Sequence, residues 1–165
     1  MDQCPFHPGG GCGVLRHGSY PRVHPVGLRV ARFPCPIQGE TISLLPAFLA
    51  SRVPATLDEI EAAIEAVEAA PSIAVAAETT RPADAGRAVT SISAARWVRR
   101  RLHPVLAALL ALVTLLPELW GCSPTVAAIR LRLGQPRALV ALRELGRAYL
   151  HALSPPLGLH ARVGR

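Results

Sequence analysis

Two Cys-Pro steps, Cys4-Pro5 and Cys35-Pro36, constrain what this chain can fold into more than any other feature. Between them lie a glycine-rich turn carrying Cys12 and an extended stretch, so that residues 4–46 read CPFHPGGGCGVLRHGSYPRVHPVGLRVARFPCPIQGETISLLP. Two short loops that each present thiolate or imidazole can close around one tetrahedral ion. The first loop offers Cys4, with His7 and Cys12 nearby, whereas the second offers Cys35 alone, because Gln38 stands where its second cysteine would fall. An amide oxygen is a weak neutral ligand beside thiolate. The candidate metal ligands are therefore Cys4, His7, Cys12 and Cys35, with zinc as the expected ion. Two outcomes stay open, a zinc-bound unit and one held by its hydrophobic pairs alone. His17 and His24 lie beside turn residues and are read as surface groups or partners of ligands.

The motifs RHGSY (16–20), RVARFPCP (29–36) and TISLLPAFL (41–49) resemble the N-terminal zinc-ribbon segment of bacterial transposases and of a family of short transposase-like proteins. In that pattern a cysteine pair precedes HGSYxR, and a C-P-x-C-x-x-T-F-S-L-L-P segment closes the ribbon. The run Ala94–Leu119 continues the likeness, which then covers most of the chain; Gln38, at the last cysteine, departs from it. The resemblance implies a zinc ribbon, a helix-turn-helix-like helical region and DNA as the partner.

Alternation of Val26, Leu28 and Val30 with Gly27, Arg29 and Ala31 predicts a strand over Val26–Phe33, with others at Val14–Tyr20 and Glu40–Leu45. Thr56 and Glu59 make a capping box for a helix over Thr56–Ala70, whose Leu57, Ile60, Ile64 and Val67 share one face. Its acids, Asp58, Glu59, Glu61, Glu65 and Glu68, are read as a solvated face. A short helix over Ser72–Thr79 follows, then the loop RPADAGRAVT (81–90), then a long helix capped by Ser91 or Ser93, running to Leu116 and kinked at Pro104. This order is that of a helix-turn-helix, although the loop exceeds the usual turn of about 3–4 residues.

In the long helix Val98, Leu102, Val105, Leu109 and Leu116 fall on one side, and Arg96, Arg99, Arg100 and His103 on the other. Trp97 and Trp120 are expected to anchor the core and Cys122 to be a small buried residue. Ser123-Pro124 should open a helix ending at Gly134, and a last helix should span Pro136–Leu153 with Leu139, Leu142, Leu145, Tyr149 and Leu153 on one face.

The expected fold is α+β and mostly α. It comprises a zinc-ribbon-like β unit (1–50), a helical domain (55–154, helix-turn-helix-like over 57–103, C-terminal helices over 104–153) and a flexible basic tail (155–165). A net charge of +7, with all eighteen basic residues arginine, fits a polyanionic partner and the codon bias of a GC-rich bacterial gene. Double-stranded DNA is the expected partner, with Arg96, Arg99, Arg100 and His103 facing phosphates and Arg22, Arg29 and Arg32 extending that surface. At 4% aromatic content no broad stacking platform for single strands is available.

An enzyme is not expected. Asp occurs only at positions 2, 58 and 84, which builds no two-metal nuclease, and a Cys–His nucleophile lacks a third orienting group. Four cysteines without a secretory leader point to a reducing cytoplasm and a nucleoid-associated protein. The longest apolar run, Val105–Leu116, is too short to span a bilayer, although Arg99–Arg101 precede it like a positive flank. The alternative function is a helical interaction module that forms a homo-oligomer or receives a partner; peripheral membrane association and a transposase-derived remnant rank below it.

Overall fold

The computed structural model describes residues 4, 6–7, 9–79 and 91–159, with only the backbone of 91–93. The expected loop over 81–90, the capping side chains of Ser91 and Ser93, and residues 160–165 of the expected tail lie outside the described residues. The chain is mixed α+β and mostly helical, and it divides into two compact units, Met1–Pro46 and Ala47–Arg165.

The first unit holds a three-stranded antiparallel sheet in the order β1 (Ser19–Pro21), β2 (Arg29–Pro34), β3 (Thr41–Leu44). Ser19 pairs with Ala31 and Pro21 with Arg29, while Ala31 and Pro34 on the other edge of β2 face Leu44 and Thr41. Val30 and Phe33 are buried, but Val26 is 88% exposed. The strand therefore starts three residues later than its alternation suggested. The Arg22 N–H donates to the Leu28 carbonyl at 2.8 Å and closes a hairpin loop, so Val26 sits at the loop tip rather than on a ladder.

Among its described residues the second unit packs five helices, α1 (Leu57–Ala69), α2 (Ile73–Thr79), α3 (Ser91–Leu115), α4 (Val126–Leu133) and α5 (Ala138–Leu145). Thr56 Oγ1 accepts the Glu59 N–H at 3.2 Å while Glu59 Oε2 accepts the Thr56 N–H at 2.7 Å, so the capping box forms as read. Leu57, Ile60 and Ile64 of α1 meet Val105, Leu109 and Leu112 of α3, Ile129 of α4, and Leu139 and Leu142 of α5 in one core. Helix α3 continues through Pro104, which removes the N–H that would otherwise bond to the Arg100 carbonyl.

Tertiary packing overrides the local reading at several places. Glu61 is 3% exposed, not solvated, and accepts the N–H groups of Ala138 and Leu139 together with the Arg130 guanidinium. Glu68 likewise accepts the N–H groups of Val126 and Ala127. With those donors satisfied, α4 begins after Thr125, whose hydroxyl accepts the Ala128 N–H at 3.2 Å, so Thr125 rather than Ser123 is its cap. Gly134 ends α4 in a left-handed conformation, as expected.

The expected helix Pro136–Leu153 stops at Leu145, and a 3-10 turn over Arg147–Tyr149 follows. Gly146 marks the break: a Cβ there would lie 2.7 Å from Leu112 Cδ2 and 3.0 Å from the Leu142 carbonyl oxygen, so a larger residue would have to displace the Leu112 side chain. Another 3-10 turn, Pro117–Leu119, buries Leu119 and leaves Trp120 64% exposed, so Trp120 is not a core anchor. Cys122 is half-buried at the core margin. Part of the expected flexible tail belongs to the core: Leu157 is fully buried, and the Pro156 carbonyl accepts the Ser51 N–H at 2.9 Å.

Candidate metal centre

Each metal-capable residue of the first unit reaches the cluster by its own local device. Cys4 and His7 share a turn closed by the His7 N–H donating to the Cys4 carbonyl at 3.0 Å, and the Gly10 N–H then donates to the His7 carbonyl at 2.9 Å. Cys12 lies between Gly11 and Gly13, whose φ angles of 83° and 64° are in the left-handed region that L side chains avoid. The glycine-rich run is thus the backbone path that turns Cys12 inward. Cys35 follows β2 in a tight turn, with its N–H donating to the Glu40 carbonyl at 2.7 Å and the Gly39 N–H donating back to it at 2.9 Å.

The donor atoms of Cys4, His7, Cys12 and Cys35 all lie within 4.8 Å of one another. His7 Nδ1 is 3.6 Å from Cys4 Sγ and 3.4 Å from Cys35 Sγ. In a tetrahedral site with ordinary metal–sulfur and metal–nitrogen lengths, the S···N edge is about 3.6 Å and the S···S edge about 3.8 Å. These two S···N edges fit that tetrahedron. The cysteines are 1%, 4% and 1% exposed, and among the described residues Val14 and Ile42 are the partly buried apolar side chains packed on them, so the thiols join Val30 and Phe33 as the main buried groups of this unit. The group can hold a metal ion.

Gln38 contributes through its backbone. Its N–H donates to Cys35 Sγ at 3.4 Å, the kind of outer contact that stabilises charge on a ligating sulfur. The second loop brings one potential donor, Cys35, to the cluster, and His7 supplies the fourth. His17 is exposed and His24 half-buried, and neither belongs to the cluster.

The thiols do not ionise alike. Burial pushes the Cys4 thiol up, but hydrogen bonds from His7, the Phe6 backbone, Cys12 and Cys35 outweigh it and bring its pKa down to about 7. Burial raises the Cys12 thiol, and the neighbouring Cys4 charge raises it further. A cation among them would remove this mutual penalty by compensating all the thiolates at once.

The predicted phosphate contacts fall in both units, on α3 in the second and on β2 and the β1–β2 loop in the first. Arg96, Arg99, Arg100 and His103 are all exposed on α3, opposite the buried Val98, Val105 and Leu109, and none makes an ion pair with another described residue. Arg101 is turned inward: it is half-buried, its guanidinium carbon lies 3.7 Å from the Trp97 ring centroid, and burial lowers its pKa. Trp97 is therefore a half-buried stacking partner rather than a core anchor, a pairing that its i, i+4 spacing from Arg101 could have signalled. In the first unit Arg32 is exposed, Arg22 is half-buried, and Arg29 donates to the Ser19 hydroxyl and carbonyl at 2.9 and 3.0 Å.

No protein-family model, curated protein or solved structure matches this chain. Among the described residues, no helix is long and apolar enough to cross a membrane.

Proposed function

We propose that this chain is a non-catalytic DNA-binding protein, similar to the DNA-recognition part of a bacterial transposase, in which the first unit is a zinc ribbon and α1–α3 act as a helix-turn-helix-like segment. Zinc is the ion that three thiolates and one imidazole in a closed tetrahedral set suit best. The observation that carries the DNA reading is the shared exposure of Arg96, Arg99, Arg100 and His103 on one side of α3, in a chain of net charge +7. Guanidinium groups at this spacing can contact phosphates while the opposite face of the helix stays in the core.

The test is binding to duplex DNA as salt is raised. Affinity should fall steeply, and replacing Arg96, Arg99 and Arg100 together by Ala should flatten the slope of log affinity against log salt by roughly 0.9 for each phosphate that is no longer neutralised. An unchanged slope in a folded triple variant removes α3 from the interface. A second reading, a helical interaction module, draws support from the outer side of α3 beyond Pro104, where Leu110 and Leu115 are 56% and 42% exposed. Self-association indifferent to salt would favour it.

A further inference from the structure

The β1–β2 hairpin is cationic along its whole length. Val14–Pro34 contains Arg16, Arg22, Arg29 and Arg32 with His17 and His24, and no acid. Its loop, closed by the Arg22 N–H donating to the Leu28 carbonyl, exposes Val23 and Val26 at 85% and 88%. These are apolar side chains at the extremity of a cationic element. At its open end the His17 N–H donates to the Arg32 carbonyl at 2.8 Å, so Arg16 and Arg32 flank the base of the same ribbon. Arg29 is held in one orientation by its two hydrogen bonds to Ser19, which reduces the ordering cost of a contact.

We propose that this hairpin enters the major groove of duplex DNA and that Val23 and Val26 contact thymine methyl groups there. The proposal rests on the chain being a DNA-binding protein. The major groove, about 12 Å wide, admits a two-stranded β-ribbon, and the thymine 5-methyl is the one apolar group its base edges present. The arginines behind the tip then face the phosphate walls, placing charge where the groove is lined by it. A lipid surface fits less well, because interfacial anchoring relies on Trp, Phe and Leu, and this tip offers two valines.

The experiment compares the full chain with a Val23→Ser/Val26→Ser variant on an A·T-rich duplex and on the same duplex carrying deoxyuridine at every thymidine. Both valines stand outside the ladder, so the variant should keep its metal content and circular dichroism. The expected result is that loss of the 5-methyl groups weakens the wild type by about fourfold for each methyl contacted. The variant should bind both duplexes alike, at the weaker level. If the wild type binds the two duplexes equally, the hairpin assignment falls and DNA binding through α3 stands. If it binds neither at low salt, both fall. A variant that still distinguishes the duplexes places the methyl contact elsewhere, and one that binds DNA like the wild type but no longer binds phosphatidylserine vesicles assigns the tip to membranes; either overturns the proposal.

Discussion

Glu61 Oε2 accepts the Leu139 N–H at 2.7 Å, so a carboxylate of α1 closes the first turn of α5 from 78 residues away. Its Oε1 accepts the Ala138 N–H at 3.0 Å, while Arg137, at the cap position of α5, makes no side-chain cap bond. The unpaired N–H groups and the positive end of the helix dipole both favour an anion at this place. Glu68 does the same for α4, so two carboxylates of α1 fix the starts of two later helices.

Glu61→Ala would leave two buried N–H groups unpaired and take one carboxylate from Arg130. The helical unit should lose about 2–4 kcal/mol, and Glu61→Gln, which keeps an acceptor, should lose less. Denaturant unfolding measures both, and equal midpoints for Glu61→Ala and wild type would show that the capping contributes nothing.

Elemental analysis should find one zinc per chain. Cys12→Ala and Cys35→Ala should lose it, and His7→Ala should weaken it, because each removes one of the four converging donors. Gln38→Ala should retain zinc, since Gln38 serves through its backbone N–H. Loss of zinc in Gln38→Ala would make its side chain a ligand. Chelation should disorder the first unit, with its small set of apolar contacts, and leave the helical core folded.

Acidity of Cys4 sets a pH dependence for the metal-free first unit. A thiol held at about 7 instead of 9.0 favours the folded state at pH values above its unfolded pKa, and that contribution is lost as pH falls through the folded one. Stability should therefore rise from pH 7 towards pH 9. Cys12, whose thiol burial pushes up, opposes this beyond its ordinary value. Protection factors at the Val30 and Phe33 amides, with the base-catalysed intrinsic rate divided out, would follow the change, and greater protection at the acid end would contradict it.

The two sides of α3 should respond in opposite ways to substitution. Leu109→Ala empties a fully buried position and should cost about 2–5 kcal/mol, whereas replacing Arg96, Arg99 and Arg100 by Ala should shift stability by only about 0.5 kcal/mol per site. Thermal unfolding separates these cases. A large loss in the arginine variant would mean that those side chains support the fold.

Leu157 should behave as a core residue. Leu157→Ala is expected to destabilise the helical unit by about 2–5 kcal/mol, because its side chain is fully buried and Ser51 binds the backbone on either side of it through the Pro156 and Gly158 carbonyls. An unchanged melting temperature would return this segment to the tail.

Much of the architecture was legible in the sequence because its causes are local. The capping box of Thr56 and Glu59, the stop at Gly134 and the division of α3 between Val98, Val105 and Leu109 on one side and arginines on the other each follow from residues within a few turns of one another. The four metal-capable residues could also be named from their types and spacing, although their convergence could not. Whether Cys12 and His7 met Cys4 and Cys35 depended on left-handed glycines and on the β2–β3 turn bringing Cys35 back across 28 residues to His7. The remaining features were decided by tertiary structure alone. Glu61 and Glu68 read as solvated acids because nothing near them in sequence marks them as caps of α5 and α4. Trp120 and Leu157 exchanged their expected places because exposure is set by which surface the chain meets after it turns, and local hydrophobicity carries no information about that surface.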